Sequence, residues 1–134
     1  MVETTRSIGM PPSSFVYERR SSTIADPVPA LISGYELLRW NVPEGRVQFL
    51  LYGLGTDQHL NSVYTWIVDG VELPINGVAR IGSPEKPYIF PEPLYITGSV
   101  VLLVNNDNAV AYPNVGTLPD DEYPYECMIY GRYE

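Results

Sequence analysis

The sequence has one cysteine, one histidine and no long apolar run among its 134 residues. A single cysteine, Cys127, excludes an intrachain disulfide, and its position within an apolar segment predicts a small buried side chain. No segment approaches the roughly 18 consecutive apolar residues that a transmembrane helix needs. Residues 1–30 lack the apolar core of a signal peptide. We therefore expect a protein that is made without export and has no membrane partner.

Residues that carry catalysis or bind zinc are equally scarce. Nucleophilic catalysis usually needs a histidine base beside a serine or cysteine, and the only histidine, His59, lies in a polar loop where a surface position is expected. Zinc sites take several His and Cys ligands, and the carboxylates show no spacing that would identify a glycosidase. The sequence thus predicts no enzyme: no catalytic residue, no cofactor and no metal of this kind.

Two oxygen-rich turns keep calcium open as an alternative. Asn105–Asn108 and Asp120–Glu122 contain the carboxylate and amide oxygens that bind calcium. Tight turns favour the same residues, because Asn and Asp bond to nearby backbone groups and tolerate left-handed geometry. Since no EF-hand spacing is present, a purely structural role for both turns is the favoured interpretation.

Basic residues are few and unevenly spread. The chain has 8 Lys and Arg against 16 Asp and Glu, which gives a net charge of −8. Residues 1–27 contain three of each sign, so residues 28–134 contain five basic and thirteen acidic residues. An acidic body repels the phosphates of DNA and RNA, and we expect no nucleic-acid partner.

Thirteen prolines and eleven glycines leave little room for helices. From Leu31 the apolar residues instead mark short strands separated by turn residues. Asp69-Gly70 predicts a hairpin turn, Trp66 is expected in the core, and the run Val100–Val104 predicts a strand buried on both faces. The predicted strands are 35–42, 46–54, the two arms of a hairpin over 63–74, 78–81, 94–96, 99–106, 109–113 and 125–134.

This pattern of strands without a helix predicts an all-β protein, with two antiparallel sheets packed as a β-sandwich. Jelly-roll and immunoglobulin-like connections are both open, and the short strands with long crossing loops favour the jelly roll. The sandwich is assigned to residues 28–134. Residues 1–27 are assigned to an extended, proline-rich N-terminal arm.

Ordering the predicted arm without a partner has a large cost in conformational entropy. Fixing 27 residues costs on the order of 30–50 kcal/mol of backbone entropy, and the apolar residues of this segment are scattered singly. Its extended length of up to ~90 Å exceeds the width of a body of about 100 residues. Contact with a neighbouring molecule is therefore the favoured means of ordering it. The predicted partner-binding residues are Ile8, Met10, Phe15, Val16, Tyr17, Arg19, Arg20 and Ile24.

Eleven tyrosines stand against three phenylalanines. Tyrosine suits contact surfaces, because one end of its ring is apolar and the other is wet. The tyrosines near the C-terminus are predicted to form an oligomer or partner surface: Tyr123, Tyr125, Tyr130 and Tyr133.

The segments NVPEGRVQFLLYG, YTWIVDGVELP and SVVLLVNN, together with the proline-rich arm, give the chain an architecture that resembles small virion proteins. In particular it resembles the jelly-roll decoration (cement) proteins of tailed phages. The resemblance implies a non-enzymatic protein, made in the host cytoplasm and placed on the outer capsid surface. Its implied partners are the major capsid protein and copies of itself, as a homodimer or homotrimer.

Two other functions stay open at this point. One is a carbohydrate-binding or receptor-binding β-sandwich module, which would need Trp40, Tyr88 or Tyr112 exposed along one face. The other is a small structural protein of a phage tail or neck, which shares the virion setting with the decoration proteins. Exposure of the three aromatic residues separates the first alternative from the other two functions.

Overall fold

The computed structural model describes residues 15–43, 49–57, 59–73 and 83–133. In these four ranges the chain forms eight β-strands and no helix, and so no membrane-spanning helix is found among them. The strands are β1 (Phe15–Ser21), β2 (Ile32–Asn41), β3 (Phe49–Thr56), β4 (Ser62–Val68), β5 (Val71–Glu72), β6 (Tyr88–Ile96), β7 (Ser99–Asn106) and β8 (Glu126–Tyr133).

The strands form two four-stranded antiparallel sheets, and the all-β prediction is confirmed. The first sheet has the order β1-β8-β3-β6, and the second has the order β2-β7-β4-β5. Side chains from both sheets pack into one apolar core, which makes the molecule a β-sandwich. The core consists of Val28, Leu38, Trp40, Phe49, Leu51, Leu54, Tyr64, Trp66, Val68, Ile96, Val100, Leu102, Val104, Tyr125, Cys127 and Ile129.

Strand β7 lies between β2 and β4 and is the most continuously apolar strand of the chain. Val100, Leu102 and Val104 face the core with no exposed surface, and Val101 on the opposite side is only 5% exposed. A strand covered on both faces has no need of alternating polar residues. The unalternating run therefore predicted this strand correctly.

The predicted hairpin turn at Asp69-Gly70 is confirmed, and it joins β4 to β5. Both residues have positive φ, +50° at Asp69 and +82° at Gly70, as tight hairpin turns require. The Asp69 carboxylate also accepts backbone N–H bonds from residues 97, 98 and 99, at 2.7 to 3.0 Å. One aspartate thus ties this turn to the turn between β6 and β7.

Of the strands predicted at 109–113 and 78–81, the first is wrong and the second lies outside the described residues. The strand expected at 109–113 is wrong, because this segment supplies only an isolated bridge between Val28 and Tyr112. The Asn106 side-chain amide donates to the Val110 carbonyl at 3.1 Å and to the Pro29 carbonyl at 2.9 Å, so it takes the place of a strand partner. The short strand expected at 78–81 lies outside the described residues.

Part of the predicted arm forms strand β1, on the edge of the first sheet. All seven residues of β1 pair with β8, from Phe15 opposite Arg132 to Ser21 opposite Glu126. Beyond the strand, Val28 is fully buried. Strand pairing therefore begins well before residue 28, whereas Ile8 and Met10 of the predicted arm lie outside the described residues.

The sequence did not predict β1 as a strand because few of its residues are apolar, and these alternate between the two faces of the sheet. Val16 packs against the core, whereas Phe15 and Tyr17 are exposed, at 38% and 70%. The rest of the strand is glutamate, arginine and serine, so its apolar content is low. A strand of an antiparallel sheet needs only one apolar face, and β1 is held by Val16 on that face and by its pairing with β8.

Candidate functional site

The outer face of the first sheet has a group of stacked tyrosines, which we call the tyrosine face: Tyr17, Tyr52 and Tyr130, with Phe15 and Arg132 beside them. Tyr17 stacks on its cross-strand partner Tyr130, with ring centroids 4.6 Å apart. Tyr52 meets Tyr130 edge to face at 5.5 Å. Arg132 Nε donates to the Tyr52 hydroxyl at 2.6 Å. The face is therefore both aromatic and ordered by its own contacts.

The two arginines predicted for partner binding are engaged within the chain. Arg19 donates to Glu126 at 2.8 Å and to Glu85 at 3.0 Å, and the hydrogen bond to Glu126, followed by that to Glu85, raises the Arg19 pKa. Arg20 pairs with Glu18 at 2.7 Å. Exposed ion pairs of this type stabilise a fold by little. Both arginines nevertheless have carboxylate partners within their own chain.

The C-terminal tyrosines do not form one surface. Tyr123 is 59% exposed in the loop before β8, Tyr130 belongs to the tyrosine face, and Tyr133 packs half-buried against the core. The prediction of a surface position is wrong for Tyr125, which is fully buried because its ring fills the end of the core under the His59 loop. Ile24, predicted in the arm, is 54% exposed.

The aromatic residues required for a sugar platform are separated from one another. Trp40 is 8% exposed and packs on Phe49, with centroids 4.5 Å apart. Tyr112 is half-buried against His59, and only Tyr88, at 38%, is exposed. The three do not form an exposed row on one face.

His59 was expected at the surface, and this prediction is wrong. Its ring is 8% exposed and lies between two tyrosines, 4.2 Å from Tyr125 and 4.3 Å from Tyr112 by ring centroids. Nε2 bonds to the Tyr123 carbonyl at 3.1 Å. Nδ1 is buried and has no hydrogen-bond partner among the described residues.

His59 lies in the lining of a cleft between the loop after β3 and the loop before β8, which we call the acidic cleft. Its volume is about 680 Å³, within the range of ligand-binding pockets. Among the described residues that line it there is no lysine or arginine. The lining residues are Asp57, His59, Leu60, Asn61, Ser62, Asp120, Tyr123, Pro124 and Glu126.

Asp57 is the most constrained carboxylate of the acidic cleft. Its Oδ1 accepts hydrogen bonds from the Tyr64 hydroxyl at 2.8 Å and from the Glu126 backbone N–H at 3.0 Å. Burial raises the pKa of Asp57, and these hydrogen bonds offset only part of that increase. Burial also raises the pKa of Tyr64, which keeps its hydroxyl protonated as the donor.

The raised pKa of Asp57 predicts a pH-dependent effect of Asp57→Asn on stability. A carboxyl with a higher pKa in the folded state binds its proton more tightly there, so ionisation of Asp57 costs stability above that pKa. An amide oxygen can still accept both hydrogen bonds. We therefore expect the free energy of unfolding of Asp57→Asn, relative to the parent, to be most favourable at neutral pH and to decline as pH falls through the raised pKa.

Urea unfolding of both proteins between about pH 4 and pH 8 measures this difference. Asp120→Asn is the matched control, because it removes an exposed carboxylate from the same cleft. A difference between Asp57→Asn and the parent that is independent of pH would contradict the assignment of Asp57 as a desolvated carboxylate.

The oxygen-rich turn at 105–108 holds the loops together by hydrogen bonds. The Asn108 side-chain amide donates to the Leu60 carbonyl at 2.7 Å, and its backbone N–H donates to Asn106 Oδ1 at 2.9 Å. Asn105 Oδ1 accepts from the Gly34 N–H at 2.8 Å. Within the described ranges no three His, Cys, Asp or Glu side chains meet as a cation site. These contacts support the structural interpretation of this turn.

Cys127 is buried, as predicted. Burial raises the pKa of its thiol to about 12, so the side chain stays protonated at neutral pH. Its position in the core of the first sheet gives it a packing role.

Comparison of the chain with protein-family models, with curated proteins and with solved structures gives no match. The acidic cleft is the feature that sequence reasoning missed. One signal for it was present: DQHLN follows β3 and PDDEYP precedes β8, and both segments are polar. Thr56 pairs with Cys127 at the ends of these two strands, which brings the two loops together.

Proposed function

We propose that the sandwich is a jelly roll, and that the chain is a non-enzymatic structural virion protein of the capsid decoration (cement) type. The observation that carries this proposal is the strand order. Strands β1, β8, β3 and β6 face β2, β7, β4 and β5, so the chain changes sheet after β1, β2, β3, β5, β6 and β7. This order supports the proposal, because the eight-stranded jelly roll of viral capsid and lectin domains is built from two sheets and two Greek keys.

The tyrosine face supports a role in protein–protein contact. Tyr17 is 70% exposed and Phe15 is 38% exposed, next to the guanidinium of Arg132. Tyrosine and arginine are enriched in protein interfaces and among the residues that dominate their binding energy. We propose that this face contacts the major capsid protein on the outer capsid surface, and that residues 1–14, which contain Ile8 and Met10, extend the contact as an arm.

A carbohydrate-binding module is less well supported. A sugar platform needs exposed aromatic rings in one plane, and Trp40 is buried in the core. The tyrosines of the tyrosine face stack on one another or meet edge to face, which suits an interface better than a row of separate sugar subsites. A position in the tail or neck would use the same surface on a different partner.

The proposal predicts that the chain binds capsids through the tyrosine face. Purified protein is mixed with capsid particles assembled without it from the major capsid protein of the same genome, and occupancy is measured after sedimentation. The double variant Phe15→Ser/Tyr17→Ser is expected to bind at least about 30-fold more weakly, which corresponds to the loss of one dominant contact of about 2 kcal/mol. The parent is expected to bind at saturating occupancy.

Val71→Ser is the matched control, because Val71 is equally apolar and 66% exposed but lies on β5 in the second sheet. It is expected to bind capsids like the parent. Circular dichroism of all three proteins checks that the fold is retained. Absence of parent binding would refute the decoration role, and equal binding of the double variant would exclude the tyrosine face.

A further inference from the structure

The acidic cleft has a surplus of hydrogen-bond acceptors. Both donors to Asp57 bind its Oδ1, so Oδ2 has no partner among the described residues. The exposed carboxylate of Asp120 has no side-chain partner in the described part of the chain, and Glu126 uses only Oε1, for Arg19. Three carboxylates therefore line the cleft with oxygens that no described residue contacts.

His59 adds a buried acceptor to this set. A carbonyl oxygen can only accept, so the Nε2 atom that bonds to the Tyr123 carbonyl carries the proton. In the neutral ring Nδ1 is then an acceptor, and it has no donor within the described ranges. A buried acceptor without a donor is costly. His59 therefore has an acceptor without a donor, as the three carboxylates do.

Few donors in the lining offset these acceptors. Ser62 donates its only hydroxyl proton to the Leu60 carbonyl at 3.0 Å, which leaves the Tyr125 hydroxyl to donate to Ser62 Oγ. Among the described lining residues, the remaining side-chain donors are one N–H of the Asn61 amide and the hydroxyl of Tyr123. A ligand that complements the cleft must therefore be rich in donors and positively charged.

We propose that the acidic cleft binds an arginine side chain of a partner protein. A guanidinium has five N–H donors in one plane and pairs with carboxylates in a bidentate manner. It also stacks on aromatic rings, and the Tyr123 ring is 59% exposed at the cleft. The carboxylates of Asp57 and Asp120 bind the guanidinium, and Tyr123 covers its flat face.

The chemistry of the cleft favours arginine over other occupants. No three His, Cys, Asp or Glu side chains come together as a metal site among the described residues, which disfavours a transition metal such as zinc. A neutral sugar would leave the negative charge uncompensated. The net charge of −8 on the whole chain adds a long-range attraction for a basic partner.

A titration with N-acetyl-L-arginine amide tests the proposal, and N-acetyl-L-citrulline amide, its neutral isostere, is the matched ligand control. Backbone amide shifts of ¹⁵N-labelled full-length protein are recorded by NMR. We expect the arginine derivative to shift the amides of residues 57–62 and 120–126, with a dissociation constant on the order of 1–10 mM for a single side chain. The citrulline derivative is expected to cause no saturable shift.

Two variants locate the binding site. Asp120→Asn is expected to weaken arginine binding about 3- to 10-fold, because it removes an exposed carboxylate of the cleft. Tyr123→Ser is expected to weaken it by a smaller factor, through loss of stacking. Glu72→Gln on β5, in the second sheet, removes the same charge elsewhere and is expected to leave the affinity unchanged.

Equal binding of the citrulline derivative would overturn the proposal, as would shifts outside the cleft or an equal loss in Glu72→Gln. Saturable shifts with galactose or glucose but not with arginine would assign the cleft to carbohydrate and would also overturn it. Because the probe is a single amino-acid derivative, this result does not depend on whether the chain decorates a capsid.

Discussion

Deletion of residues 1–27 is expected to abolish the folded state, whereas deletion of residues 1–14 is expected to preserve it. The longer deletion removes all seven pairs between β1 and β8. It also removes Ser22, whose Oγ accepts the Tyr125 backbone N–H at 2.8 Å. Domains of this size have a free energy of unfolding of only about 5–15 kcal/mol. The stabilisation lost with an edge strand and its core contacts is expected to exceed this value.

The measurement is the dispersion of backbone amide signals by NMR, together with the cooperativity of thermal unfolding. The shorter deletion controls for the loss of the residues ahead of Phe15, because it leaves every described strand complete. A cooperative, parent-like unfolding transition in the 1–27 deletion would mean that β8 tolerates an open edge. The sandwich would then begin near residue 28, as the sequence pattern indicates.

Tyr125→Ala is expected to have the largest effect of any single substitution considered, a loss of about 3–5 kcal/mol in the free energy of unfolding. The Tyr125 ring has no exposed surface and stacks on His59 at an interplanar angle of 12°. Its removal leaves a cavity under the acidic cleft. The loss of stability is measured by urea unfolding.

Two variants separate the contributions of ring and hydroxyl. Tyr125→Phe keeps the ring and loses the hydrogen bond to Ser62, at an expected cost of about 1 kcal/mol. Tyr123→Ala removes an exposed tyrosine two residues away, with an expected effect within about 0.5 kcal/mol. If Tyr125→Ala were as mild as Tyr123→Ala, the ring would not belong to the core.

The parts of the fold that sequence predicted are those where a local pattern has only one good solution. Asp69-Gly70 has the positive φ that a two-residue hairpin needs, and Val100–Val104 is too apolar for anything but an interior strand. Cys127 was also placed correctly, in the core. In each case short-range chemistry and tertiary structure agree.

The features that sequence missed depend on contacts distant in the chain. Strand β1 has few apolar residues and is held by β8, so its own residues did not identify it. His59 lies in a polar segment, and only the packing of Tyr112 and Tyr125 around it explains its burial. The acidic cleft likewise needs the ends of β3 and β8 to pair. A single sequence contains no direct signal for contacts between residues that are distant in the chain.

The order of the first sheet has a consequence for biosynthesis. Strand β8 lies between β1 and β3, and even the closest paired residues of β1 and β8, Ser21 and Glu126, are 105 residues apart in sequence. At a translation rate of about 5–20 residues per second, β1 waits roughly 5–20 seconds for its partner. Until β8 leaves the ribosome, β1 has no neighbour in its sheet and β3 lacks one of its two, so the sandwich closes only after β8 has been synthesised. Folds dominated by such distant pairings also fold slowly. During that interval the unpaired strand edges of the nascent chain are exposed to aggregation.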